Sequence, residues 1–135
     1  MAVTDQKMHA QSKTPLKHLV FNLITAVGQA DVKAFSFRPG YSFEIVDVQA
    51  HCLNEAGVVS ADVKIGAVSA LNAAIAFAAA TRVDGVLAAA QASRRGSRTD
   101  ELNIHYTTDG AGALTNGTVT VTIRPVPLNG EVQTE

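Results

Sequence analysis

The stretch "ELNIHYTTDGAGALTNGTVTVTIRP", Glu101 to Pro125, decides how the chain is read. Leu102, Ile104 and Tyr106 alternate with Glu101, Asn103, His105 and Thr107. Val119, Val121 and Ile123 alternate in the same way with Thr118, Thr120 and Thr122. A period of two sends each set to its own face of a strand, and β-branched side chains suit that pleat. Between the runs lie Asp109-Gly110, Gly112 and Asn116-Gly117. Gly and Asn accept the positive φ that tight turns demand. The segment predicts a hairpin with a projecting tip. Pro125 and Pro127 end its second strand, because proline has no N–H to give to a ladder.

Working outward, the same period recurs. "KHLVFNLI" aligns Leu19, Phe21 and Leu23, and "ADVKAFSF" places Phe35 and Phe37 two apart before the turn residues Arg38 to Gly40. In "YSFEIVDVQAHC", Val46, Val48, Ala50 and Cys52 share one face, and Phe43, Ile45, Asp47, Gln49 and His51 the other. "VVSADVKIG" turns Val59, Ala61, Val63 and Ile65 inward and Ser60, Asp62 and Lys64 outward. Ala70 to Ser93 is open to two readings. Its alanines favour a helix, whereas Ile75, Phe77, the Asp84-Gly85 turn and the alternation in "GVLAAAQAS" favour strands. The pattern predicts an all-β fold, a β-sandwich or jelly-roll-like barrel of about 7–8 antiparallel strands. It divides the chain into an N-terminal arm (1–16), a β-sandwich domain (17–128) and a C-terminal tail (129–135).

Composition narrows the classes. The 135 residues suffice for one domain, and 47% are hydrophobic, enough for a core. Alanine and valine dominate and tryptophan is absent, so that core should be thin. A net charge of -1 lacks the broad basic surplus of a nucleic-acid binder. The single cysteine, Cys52, forms no intrachain disulfide, and no apolar run approaches the ~18 residues of a membrane span. The polar start "MAVTDQKMHAQSK" lacks the apolar centre of a secretion signal, so synthesis in a cytosol is expected.

Reactive groups are sparse. Asp47, His51 and His105 could be imagined around a metal, but without diagnostic spacing they read as ordinary strand residues. Cys52 and His51 are adjacent on a strand and point to opposite faces, so Cys52 reads as a buried thiol. No GxSxG elbow and no phosphate-binding glycine loop occurs. No catalytic residue, metal or cofactor is expected. The charge cluster "SRRGSRTDE" holds Arg94, Arg95 and Arg98. It reads either as an ion-pairing patch against another chain or as a solvated loop whose arginines meet Asp100 and Glu101.

The segments "YSFEIVDVQAHC", "VVSADVKIGAVSAL" and "TDELNIHYTTDGAGALTNGTVTVTIRPVPL" together resemble small β-sandwich virion proteins of tailed bacteriophages, the capsid decoration or cement proteins of the head surface. The resemblance spans about Phe35 to Leu128. It implies a structural protein rather than an enzyme, made in the host cytoplasm and found on the capsid surface of the virion. It also implies a homotrimer with the major capsid protein as partner, and an arm that drapes over neighbours. A phage fibre or tail module, binding carbohydrate or another virion protein, is the alternative. Apolar residues on both faces of "YSFEIV" and "GVLAAAQA" suggest subunit contacts. Physical reasoning, not a matched motif, puts Lys7, Lys13 and Lys17 with Arg94, Arg95 and Arg98 at the shell or subunit contact.

Overall fold

A computed structural model describes residues 16–126. The arm expected over 1–16, Leu16 excepted, and the tail over 129–135 therefore lie outside the described residues. Six strands carry the architecture: β1 (Lys17–Leu23), β2 (Val32–Phe37), β3 (Phe43–His51), β5 (Val59–Ile65), β10 (Leu102–Thr108) and β12 (Gly117–Pro125). Shorter pieces lie between them: β4 (Asn54–Ala56), β6 (Val68–Ser69), β7 (Ile75–Ala76), β8 (Arg82–Asp84), β9 (Arg95–Gly96) and β11 (Ala113–Thr115). One helical turn, α1 (Gln91–Arg94), precedes β9.

The strands form two sheets. The first runs β1-β12-β3-β8, with β9 also on β3; the second runs β2-β10-β5-β6, with β7 also on β5. Every pairing between these strands is antiparallel. β6 with β7 fill one outer position, and β8 with β9 fill another. The twelve segments thus reduce to eight positions plus the small β4–β11 pair. In chain order the positions alternate between the sheets except where β5 is followed by β6 and β7 in its own sheet, which is the order of a jelly roll. The all-β sandwich expectation holds, and the excess over seven or eight strands comes from the two interrupted positions and that pair.

The expected closing hairpin is not one. β10 lies between β2 and β5 in the second sheet, whereas β12 lies between β1 and β3 in the first. Asp109 to Asn116 is a bridge from one sheet to the other. Within it β11 pairs with β4, which belongs to the other crossing at that end, β3 to β5. The shared alternation of β10 and β12 reflects a shared core. Leu102, Ile104 and Tyr106 from one sheet and Val119, Val121 and Ile123 from the other enter one buried cluster.

β3 changes face partway along. Thr122 pairs with Asp47 and the next residue, Ile123, with Ile45, so Val46 is an extra bulged residue. Phe43 and Ile45 are buried ahead of the bulge, and Val48, Ala50 and Cys52 behind it. A regular period would have put these sets on opposite faces. Tyr41, Phe43 and Ile45 therefore serve the same core as Val48 and Ala50, whereas Val46, the apolar residue on the other face of "YSFEIV", is the bulge itself and lies outside that cluster. A second bulge, at Ala34, separates the pairs Ile104–Phe35 and His105–Lys33.

The alanine-rich segment is neither one helix nor a regular strand. Its backbone hydrogen bonds go to its surroundings: Ala70 N–H to Val63 O, Phe77 N–H to Val59 O and Gly85 N–H to Val48 O. Leu71, Ile75 and Phe77 are buried, so tertiary anchoring overrides alanine's helix propensity. The fully buried side chains are mainly valine and isoleucine, with Phe43 the largest.

Gly96 lies flat on that phenylalanine. A Cβ added there would sit 2.5 Å from the Phe43 ring and 3.1 Å from Ile65 Cγ2. Gly96→Ala should destabilise the domain by about 1–3 kcal/mol through overpacking. Urea denaturation monitored by circular dichroism measures it, and an unchanged midpoint would show that β9 can lift away at no cost.

Candidate functional site: a basic end built on Glu44

Glu44 lies between two buried apolar residues, Phe43 and Ile45, yet points to the other face of its sheet. Its side chain is 6% exposed. Three arginines cover it. Arg124 Nη2 lies 2.9 Å from Oε1, Arg95 Nε 3.2 Å from the same oxygen, and Arg94 Nη2 3.5 Å from Oε2. Pairing explains the convergence, since β3 residue 44 sits opposite both Arg124 of β12 and Arg95 of β9. Arg94 also donates to Ala88 O at 2.6 Å and Ala89 O at 3.3 Å, which fastens the α1 turn. Burial alone would raise the Glu44 pKa. Hydrogen bonds and charge from Arg124 and Arg95 outweigh it and hold the carboxyl below its ordinary value.

Three cations share this one anion, so the end keeps positive charge. Lys17 is exposed opposite Ile123, one residue from Arg124 in the ladder. Arg98 is exposed two residues beyond Gly96, in a turn where Asp100 accepts the Ser97 N–H at 2.7 Å. The structure therefore gathers four of the six expected contact residues, Lys17, Arg94, Arg95 and Arg98, at one end of the first sheet. Arg94 and Arg95 bind Glu44 rather than the neighbouring Asp100 or Glu101. Lys7 and Lys13 lie outside the described residues. Sequence reasoning missed Glu44 and Arg124. The available signal was an acid flanked by two core residues in a strand.

The remaining ionisable groups separate. Asp47 and His51 lie on β3 of the first sheet and His105 on β10 of the second, so the three do not meet. His18 Nδ1 is 2.9 Å from Thr122 Oγ1 on the outer face of the first sheet. Cys52 is a buried free thiol, and burial, with a smaller contribution from Glu55, pushes its pKa up. His105 packs beside Asp31, whose Oδ1 is 3.0 Å from Nδ1. That contact lacks hydrogen-bond direction, and both ring nitrogens are buried without a bonded partner. Asp31 takes a hydrogen bond from Lys64, the main cause of its lowered pKa. Among the described residues no three His, Cys, Asp or Glu side chains converge as metal ligands, and no helix is long and apolar enough to cross a membrane.

A cleft of about 490 Å³ opens at the opposite end, lined by Asn22, Ile24, Thr25, Leu114, Asn116 and Thr118. It contains no ionisable side chain. All seven aromatic residues are buried or half-buried. Comparison with known proteins found no matching protein family, no matching curated protein and no matching solved structure.

Glu44→Gln should cost about 1–3 kcal/mol, below the usual penalty for breaking a fully buried pair, because its arginines reach solvent. The native carboxylate, with its lowered pKa, stabilises the fold fully above the unfolded value near 4.5 and loses that effect as pH falls through the folded value. Urea midpoints measured between neutral and acid pH should therefore fall less steeply in Glu44→Gln. Parallel curves would show that the buried carboxylate is not linked to acid unfolding.

Proposed function

We propose that the chain is a structural virion protein, a decoration or cement protein that binds the outer surface of a phage head. The observation that carries this reading is the basic end. It holds Arg94, Arg95 and Arg124 around one buried carboxylate, with Lys17 and Arg98 exposed at the same end. Arginines held by a buried acid are pre-ordered, so less side-chain entropy is lost when they meet carboxylates or carbonyls of a partner. The major capsid protein is that partner. Shell binding needs no reaction, and symmetry-repeated weak contacts sum to firm attachment.

The jelly-roll order is compatible with this role, since such domains serve in viral capsids, though they serve in lectins as well and fold alone does not fix function. The withdrawn aromatic rings favour shell attachment over a carbohydrate-binding fibre module, because sugar sites usually present an exposed aromatic platform. Residues 1–14 of the expected arm (1–16), with Lys7 and Lys13, supply the second part of the attachment.

Co-sedimentation with heads assembled from the cognate major capsid protein tests the reading. The full chain should pellet with heads at a fixed ratio and release with salt. Deleting residues 1–14 should weaken binding about tenfold or more while melting temperature changes little. No co-sedimentation at low salt would overturn the proposal, and equal loss of binding and stability would remove the separate role of the arm.

A further inference from the structure

The four lateral edges of the sandwich differ in their defences against strand pairing. One side ends in β6 and β7 on the second sheet and β8 and β9 on the first, all of two or three residues. Short edge strands offer little template. β2, on the other side, carries a bulge at Ala34, the exposed Lys33 and, just before it, Asp31 with φ 49°. β1 has none of these devices. All seven of its residues pair with β12 in unbroken register. It contains no proline, and its one ordinary charge, Lys17, stands at its end. Among the described residues β1 is the one long, regular strand with an open edge.

β1 and the residue on either side of it also bear the least expected apolar exposure. Leu16 is 52% exposed, Val20 62% and Ile24 88%. Spaced by four, they share the numbering parity of the outward residues His18, Val20 and Asn22, with Leu16 and Ile24 just beyond the strand's two ends. Nothing in the sandwich uses them, yet they are self-complementary. In an antiparallel pair centred on Val20, residue numbers across the join sum to a constant. Val20 meets the partner's Val20, and Leu16 meets the partner's Ile24. His18 meets the partner's Asn22, a pair able to hydrogen-bond. Lys17 falls opposite the partner's Leu23, which keeps the two lysines about 20 Å apart at 3.3–3.4 Å per residue. On the inner face, the half-buried Leu19 and Phe21 meet the partner's Phe21 and Leu19.

We propose that the β1 edge is a self-association surface, on which a second copy of this chain adds its own β1 antiparallel about a two-fold axis through Val20. The first sheets of the two copies then run on as one. Main-chain hydrogen bonds give affinity, and the Leu16–Val20–Ile24 stripe sets the register. The contact is isologous, so it builds a two-fold dimer in place of the trimer suggested by the family resemblance. It does not rest on shell attachment, and each stands without the other.

The experiment is native mass spectrometry of the full chain at tens of micromolar, with Val20→Lys and Val20→Cys beside it. The wild type should be a dimer or an even-numbered assembly. Val20→Lys sets two like charges directly opposite and should weaken association about tenfold or more. Its melting temperature should change little, because Val20 is exposed in the single copy. Under mild oxidation Val20→Cys should form a disulfide-linked dimer, and Val68→Cys, a comparably exposed control on β6, should not. A monomeric wild type, a three-fold assembly unmoved by Val20→Lys, or equal linkage of both cysteine variants would each overturn the proposal. If Val20→Lys fails to fold, the cysteine pair alone decides.

Discussion

The contact between the inner faces of β10 and β12 is the constraint on which the other features depend. Each strand is central in its own sheet, so each is held by a ladder on both sides. Their apolar sets then face each other across a sandwich about 10 Å thick. Because the two strands lie in different sheets, the chain must cross between sheets to get from one to the other. The β3–β5 connection crosses at the same end, and β4 and β11 give these two bridges a ladder of their own. Gly57 permits the close approach there: it has φ 68°, and an added Cβ would lie 2.5 Å from Asp109 Oδ1.

Alternation in the sequence reveals which residues face a core and is silent about which strand lies beside which. β5 is therefore read correctly to the residue, with Val59, Ala61, Val63 and Ile65 buried. The same logic failed at Glu101–Pro125, where two matching periods around a glycine-rich loop suggest adjacent strands. Here β10 and β12 instead occupy opposite sheets, as most consecutive strands of a jelly roll do. The failure in β3 is local. One inserted residue, Val46, inverts the faces, and no composition signal distinguishes it from the valine two positions later. Asn103 is a third case. It sits at an outward position yet is buried, because its side-chain amide donates to Gly66 O at 3.1 Å and closes the turn after β5.

The charged end was half legible. Arg94, Arg95 and Arg98 stand out because the chain has few charges, but the acid that organises two of them is fifty residues away in sequence. Ladder pairing of β3 with both β9 and β12 brings Glu44 under its arginines, and pairing is the property that periodicity cannot supply. The buried carboxylate is costly on its own. With three guanidinium groups over it, desolvation is offset and the loop from Ala88 to Gly96 acquires a fixed position.

These pieces meet at the start of β1. Lys17 begins the strand at the basic end, and Leu16, Val20 and Ile24 run from there along its open edge. The other edges are broken or bulged, whereas β1 is straight and apolar, which is the reverse of what a permanently solitary domain requires. The proposed attachment and the proposed self-pairing would use different parts of one strand: its charged terminus for a partner of opposite polarity, and its uncharged middle for a copy of itself. A single seven-residue strand with its charge confined to one end can serve both contacts without either excluding the other.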